Sequence, residues 1–226
     1  MSELINNSEK RKEILKHMIL ELHSGQAPEQ VKQRLVDLLQ YIPYDDVVEV
    51  EQELISEGLP VEEVLKLCDV PTQVLDGHID QSGAAPVPEG HPVDVLKQEN
   101  RALEAVAEEV ADLLKQRSGL QQDEVPKWLV ALHGKLNALM DVDKHYLKKE
   151  YLLFPFMEAH GITGPPKVMW GKHDETRSYL KAAIAAVSQH DTLQLDELPL
   201  VVEGAVKPAV QSVLDMIMKE EEILLP

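Results

Sequence analysis

The sequence predicts an all-α protein in which a small helical domain precedes an antiparallel four-helix bundle. Apolar residues recur at the three- and four-residue spacing of amphipathic helices along nearly the whole chain. No stretch shows the two-residue alternation that is typical of a half-buried strand. Glycine and proline mark the ends of many periodic stretches, and the 226 residues suffice for one larger domain or two modest ones.

Residues 1–78 are predicted to form a small domain of four short helices. Glycine, proline or aspartate bounds most of them, and these residues commonly begin or end helices. The predicted helices are one that ends near Gly25, one that begins at Pro28, one that runs from Asp45 to Gly58, and one over residues 61–67. Helices this short bury little apolar surface singly, so we expect the four to depend on one another.

Residues 79–92 are predicted to be a linker, because they contain the glycine- and proline-rich stretch Ser-Gly-Ala-Ala-Pro-Val-Pro-Glu-Gly-His-Pro. Residues 93–226 then contain four longer helical stretches with short connections, a pattern typical of an antiparallel bundle. The stretches cover approximately residues 93–117, 125–160, 166–189 and 195–225. Pro208 lies inside the last stretch and is expected to kink or divide it.

The composition excludes several classes of protein. A formal net charge of −18 disfavours binding to nucleic acid or to an anionic membrane. The single cysteine, Cys68, excludes an internal disulfide and indicates a reducing compartment. No long apolar run and no signal-peptide pattern occur, so we expect a cytoplasmic protein. No phosphate-binding glycine loop or nucleophile motif is present, and we expect a binding module rather than an enzyme.

Residues 145–155 have a weaker copy at the end of the chain. The first stretch reads His-Tyr-Leu-Lys-Lys-Glu-Tyr-Leu-Leu-Phe-Pro. When Pro155 is aligned with Pro226, Glu150 falls on Glu221 and His145 falls on Met216. The copy therefore keeps the carboxylate and the proline but has no histidine.

Two parts of the chain resemble known families. Residues 48–70, which end in Leu-Cys-Asp-Val, resemble the small domain of unknown function DUF438, although Pro71 stands where relatives tend to have histidine. Residues 145–155, together with Gly-Pro-Pro-Lys-Val-Met-Trp-Gly-Lys-His-Asp-Glu at residues 164–175, resemble the hemerythrin-like HHE bundle that follows this domain in its relatives. Relatives often continue into a PAS sensory domain.

The resemblance implies a centre of two irons held by histidine and carboxylate side chains from all four helices. Carried over residue by residue, it assigns His145, His173 and Glu221 as metal ligands. Other residues stand at four positions where the family has ligands, namely Asn100, Lys149, Met169 and Met216.

Lys149 and Glu150 decide how closely the site can follow the family. Lys149 shares a helix face with His145, so an inward ammonium there would repel cations unless it paired with Glu220 or Glu221. Glu150 is the fourth predicted metal ligand, but it lies about 140° from His145 around a regular helix. It can replace Lys149 only if the helix is locally distorted.

We therefore expect iron as a haem or as an atypical non-haem centre. Met169, Trp170 and Met216, with Leu147 and Phe154, are expected to line a soft apolar cavity that suits a porphyrin. His145, His173 or Met216 would be its axial ligand. His91, near the start of the bundle, and Asn100 and Lys149 are further candidates for cofactor contact. The alternatives are a standard di-iron centre, and a bundle without a cofactor whose histidines and methionines only pack in the core.

These expectations lead to one functional hypothesis and two rivals. The hypothesis is a cytoplasmic iron-cofactor module that responds to O2, NO or redox state and signals to a partner or a downstream sensory domain. Coupling is expected near residues 78–92. The rivals are an acidic structural or interaction scaffold without a cofactor and a non-haem di-iron O2 binder. An activity toward peroxide or NO stays an open variant.

Overall fold

The computed structural model describes residues 8–23, 34, 43–60, 85–189 and 192–226. Several predicted features lie outside these residues: the helix that begins at Pro28, the helix over residues 61–67, Cys68, and the linker up to residue 84. The exception is Arg34, which is described and is helical. Within the described ranges no β-strand occurs, so the all-α prediction is confirmed there. No helix in the described part of the chain has the length and apolar character needed to span a membrane.

The helices and their bounds are as follows. They are α1 (Ser8–His23), α2 (Tyr44–Ser56), α3 (Pro92–Gln116), α4 (Val125–Leu139), α5 (Val142–Lys148), α6 (Phe154–Ala159), α7 (Gly164–Val187), α8 (Leu198–Val201) and α9 (Lys207–Lys219). In the part of the chain that the structure describes, three π-helical turns interrupt or end them: π1 (Lys149–Leu153), π2 (Val202–Val206) and π3 (Glu220–Leu224).

The residues cluster into two compact units that interleave along the chain. Unit A contains Met1–Val87, Leu153–Lys172 and Met218–Pro226, and unit B contains Pro88–Leu152 and His173–Ile217. The N-terminal helices therefore cluster with two segments that the sequence analysis assigned to the bundle. The predicted domain boundaries, 1–78, 79–92 and 93–226, stay a prediction.

In unit A, α1 packs against α2 through small apolar faces. Leu15 and Met18 of α1 and Val50 and Leu54 of α2 are buried. Asp46 joins the two helices, since it accepts hydrogen bonds from Ser8 and Arg11. This pairing follows from the apolar periodicity of both segments.

The helix α2 also contacts the start of α7. The backbone N–H of Thr163 donates to Oε1 of Gln52 at 3.0 Å. A Cβ atom added to Gly164 would lie 3.0 Å from Cα of Gln52, so the two backbones approach as closely as a glycine allows. This contact fixes where α7, the helix that carries His173, begins.

In unit B, α3 packs against α4, and together they form an apolar core. The buried residues include Leu103, Ala107 and Val110 on α3 and Leu132 and Leu136 on α4. Two 3-10 turns, Arg117–Gly119 and Gln122–Glu124, make the short connection between these helices. Short connections of this kind are what the sequence pattern predicted.

The predicted long helices are interrupted where the sequence analysis expected continuity. The stretch 125–160 divides at Met140 and Asp141 and again at π1, and the last stretch begins at Leu198 rather than near residue 195. Pro208 does not end its helix, because α9 runs on as far as Lys219. Instead, the turn before this proline is the π-helical turn π2.

Each π-turn ends two residues before a proline, at Pro155, Pro208 and Pro226. Proline lacks an N–H to donate, and its ring clashes with the carbonyl group four residues earlier in a regular α-helix. That carbonyl lies within the π-turn in all three cases, and the wider turn moves it away from the ring. The alignment that places Pro155 on Pro226 also places π1 on π3, which supports the internal copy seen in the sequence.

The close approach of Gln52 to Gly164 gives a stability prediction. We expect Gly164→Ala to destabilise the protein by about 1–3 kcal/mol, because the new methyl group must displace the α2 backbone. Gly134→Ala is the matched control, since Gly134 lies within α4 and a Cβ atom there meets nothing within 4 Å. It should stabilise the protein by up to about 1 kcal/mol through helix propensity. Urea unfolding measures the free energy of unfolding of both variants. Equal changes in the two would show that the close approach of Gln52 to Gly164 does not limit the size of the side chain there.

Candidate cofactor site

Unit B contains a buried polar cluster around His145 and His173. His145 is 3% exposed and His173 is fully buried, so both imidazoles lie in the interior of this unit. His145 lies on α5 and His173 lies on α7. Tyr146, also buried, contacts both rings: its centroid lies 6.0 Å from that of His145 and 3.9 Å from that of His173.

His173 is held by a carboxylate and by an aromatic ring. Its Nδ1 atom donates to Oε1 of Glu150 at 2.7 Å, because an ionised carboxylate can only accept. The Tyr146 ring stacks on the imidazole with an interplanar angle of 9°. The hydrogen bond fixes the rotation of the imidazole and the stacking fixes its plane.

Arg177 makes the other contacts of Glu150. Its Nη1 lies 2.9 Å from Oε1 and its Nη2 donates to Oε2 at 3.0 Å. Burial raises the pKa of Glu150, but the hydrogen bonds from His173 and Arg177 outweigh that effect and lower it to about 2. Glu150 is therefore ionised at neutral pH.

His145 has a similar but more exposed carboxylate partner. Its Nδ1 donates to Oε2 of Glu99 at 2.9 Å, and Lys148 donates to the other oxygen. Burial raises the pKa of Glu99, yet the hydrogen bonds from Lys148 and His145 prevail and hold it below its usual range. Each buried histidine is thus paired with one carboxylate that also contacts one basic side chain.

The turn π1 brings two charged residues into the interior. Lys149 is fully buried and Glu150 is 3% exposed. A regular α-helix turns about 100° per residue, so it would not place both neighbours on the same inner face. The π-turn adds a residue to the turn and is the local distortion that the sequence analysis required for Glu150. The ammonium of Lys149 lies 4.6 Å from the Tyr146 ring centroid.

Some other predicted site residues lie outside this cluster. His91 is exposed and caps α3, where its Nδ1 accepts from the N–H of Val93 at 3.3 Å. It is therefore a helix cap in this structure and not a residue of the bundle interior. Trp170 is 40% exposed and Leu147 is 39% exposed, so the apolar cavity that they were expected to line does not enclose them.

The remaining predicted residues are buried or half-buried. Asn100 and Met216 in unit B are buried, and so is Met169 in unit A. At the C-terminus the fully buried carboxylate is Glu220, whereas Glu221, the predicted ligand, is half-buried. Glu220, like Lys149, is the first residue of its π-turn and is fully buried, whereas Glu221 is not.

The roles of Glu99, Tyr146 and Arg177 were not predicted from the sequence. Arg177 follows His173 by four residues and so shares its helix face, which is the one local signal for it. Tyr146 adjoins His145, and Glu99 adjoins Asn100, but neither neighbour indicates which way the side chain points. Their contacts depend on the packing of α3, α5 and α7.

The donor set does not fit a standard di-iron centre. Among the described residues, no group of three or more His, Cys, Asp or Glu side chains is placed so that it could hold a metal ion. The buried imidazoles of His145 and His173 are the candidate donors of this cluster. The Nδ1–carboxylate bonds of His145 and His173 are the arrangement that orients Nε2 toward a metal in metalloproteins.

Family models match both parts of the chain. Residues 91–226, more than half of the chain, match the hemerythrin HHE cation binding domain, and residues 15–81 match the family of unknown function DUF438. These matches confirm the order of the two resemblances drawn from the sequence. No curated protein matches the chain.

Because the two histidine–carboxylate pairs differ in burial, we expect a Glu→Gln substitution to lower the free energy of unfolding by different amounts in the two pairs. We expect Glu150→Gln to destabilise the protein by about 3–5 kcal/mol, because it breaks a buried ion pair with Arg177. Glu99→Gln is the matched control and should cost about 1 kcal/mol or less, because Glu99 is 28% exposed and solvent screens its pairs. Chemical denaturation at neutral pH measures both. An equal loss in the two variants would show that burial does not set the strength of these pairs.

Proposed function

We propose that this chain, which belongs to the hemerythrin HHE cation-binding domain family and carries a DUF438 region before that domain, holds one iron-containing cofactor at His145 and His173. The observation that carries the proposal is the pairing of each buried imidazole with a carboxylate through Nδ1. This pairing selects the tautomer whose lone pair is on Nε2, which is the form that binds iron.

The number of imidazoles favours haem over a non-haem centre. A haem iron takes one or two ligands from the protein, since the porphyrin supplies the rest. Two carboxylate-oriented histidines meet that requirement without a third protein ligand. When bound, the iron would supply a redox-active centre, and it would bind a small ligand such as O2 or NO if only one of the two imidazoles held it.

The residues of this chain orient the imidazoles and couple two helices. Tyr146 and Glu150 belong to α5 and π1, and both contact His173 on α7. A displacement of α7 therefore acts directly on α5 and π1, and we propose this contact as the route by which ligand or redox changes spread through the bundle. In this proposal the module works in the cytoplasm and passes the change to a protein partner or a downstream domain.

A specific observation favours a second candidate, an interaction scaffold without a cofactor. Lys149 is fully buried beside Tyr146, and Arg177 already neutralises Glu150. Two interior cations that complete a polar network give the bundle a stable centre by themselves. In that case the acidic surface, and not the interior, would be the functional part.

Spectroscopy and metal analysis distinguish the candidates. The full chain is expressed with added iron and a haem precursor, purified, and analysed for iron and by absorption. A Soret band near ~400 nm supports haem, whereas about one iron per chain without that band supports a non-haem centre. If the protein expressed with both supplements is colourless and contains no iron, the cofactor proposal is refuted and the scaffold remains.

Substitution of the histidines tests where the cofactor binds. We expect His173→Ala and His145→Ala each to lower the cofactor content at least about tenfold, since losing an orienting contact alone costs that much in metal sites. His91→Ala is the control, because this exposed cap residue lies outside the cluster, and it should leave the content unchanged. Full cofactor content in both interior variants would place the site elsewhere.

A further inference from the structure

Arg177 lies at the centre of three carboxylates on three elements. Its Nε donates to Asp143 on α5 at 2.6 Å and its Nη1 donates to Asp174 on α7 at 2.9 Å. Its remaining contacts are with Glu150 on π1, where Nη2 donates to Oε2 and Nη1 forms an ion pair with Oε1. The arginine side chain is only 13% exposed, so this geometry is held by protein groups and not by solvent.

The guanidinium contacts both residues that hold the His173 ring. It binds both oxygens of Glu150, the acceptor of the imidazole N–H, and its Cζ lies 5.6 Å from the centroid of the Tyr146 ring that stacks on His173. A bidentate arginine–carboxylate pair fixes the carboxylate in plane and in rotation, which a single point charge does not. The orientation of Glu150 is therefore set by Arg177.

We propose that Arg177 is the positioning residue of the cofactor site: it fixes Glu150 as the acceptor for Nδ1 of His173 and so selects the Nε2 lone-pair tautomer. The inference deepens the proposed function and rests on it in taking His173 as the residue that faces the cofactor. Arg177 itself acts through Glu150, and a lysine cannot reproduce the effect, because its ammonium lacks the planar fork.

A second consequence concerns metal ions. Both oxygens of Glu150 are occupied by Arg177, so this carboxylate serves His173 and does not act as a ligand itself. Without the guanidinium, the buried carboxylate would lack its strongest counter-charge, and a divalent cation would compensate for it. Loss of Arg177 should therefore make the stability of the protein depend on added metal.

The test uses the full chain without cofactor, so that it does not depend on whether the cofactor proposal holds. Long-range 1H–15N correlation at fixed neutral pH reports the tautomer of His173. Wild type should show the N–H on Nδ1 only, and Arg177→Lys and Arg177→Met should show a mixture of tautomers. Asp174→Asn is the matched control. Asp174 pairs with the same guanidinium but is itself 67% exposed, so this variant should show the wild-type tautomer.

Thermal unfolding with Mn²⁺ alone gives the second readout. The melting temperature of Arg177→Met should rise with Mn²⁺, while wild type, Asp174→Asn and the double variant Arg177→Met/Glu150→Gln should not respond. If Arg177→Met does not fold, the tautomer test uses Arg177→Lys alone, because the lysine keeps a positive charge beside Glu150. A single Nδ1–H tautomer in folded Arg177→Lys, or the Nε2–H form in wild type, would overturn the positioning role even if the wild-type protein binds haem.

Discussion

Pro155 places a constraint on the backbone on which the buried cluster depends. Its ring cannot follow a regular α-helical turn without a clash, and the chain resolves this with the π-turn over Lys149–Leu153. Lys149 shares the inner face of His145 in any case, and the wider turn lets its neighbour Glu150 lie inward as well. Glu150 thereby reaches His173 and Arg177 on α7, so a backbone property of one proline determines which side chains meet in the core.

The cluster buries several charges, and its composition explains how they are tolerated. An isolated charge in a protein interior costs several kcal/mol, and the cost falls only when partners and hydrogen bonds replace water. Glu150 accepts hydrogen bonds from His173 and from Nη2 of Arg177, and its Oε1 also forms an ion pair with Nη1 of Arg177. The guanidinium is in turn shared with Asp143 and Asp174. The network is therefore dense enough to orient an imidazole, which a single surface ion pair would not do.

The helices and the buried histidines could be predicted from the sequence, whereas the partners of the histidines could not. Apolar periodicity is a local property and it identified the helical stretches, whereas the family resemblance singled out His145 and His173. A regular helix puts Glu150 about 140° from His145, so its inward position required a local distortion, and the sequence does not show that π1 supplies one. Arg177 reaches Glu150 only through the packing of α7 beside α5, which no local pattern encodes. Trp170 and Leu147 were expected inside because they are apolar, but large apolar side chains also occur at protein surfaces.

The internal copy separates what the backbone provides from what the side chains provide. Both copies have a proline two residues after a π-turn, and each turn begins with a fully buried charged residue, Lys149 in one and Glu220 in the other. The shared geometry is thus compatible with charges of opposite sign at equivalent positions. Each of these two turns begins with a buried charged group, and the identity of that group decides whether the position attracts or repels a cation. In the first copy this residue is Lys149, and the next residue, Glu150, is paired with Arg177. In the proposed centre, the ligand from this copy is therefore the imidazole of His145 rather than a carboxylate.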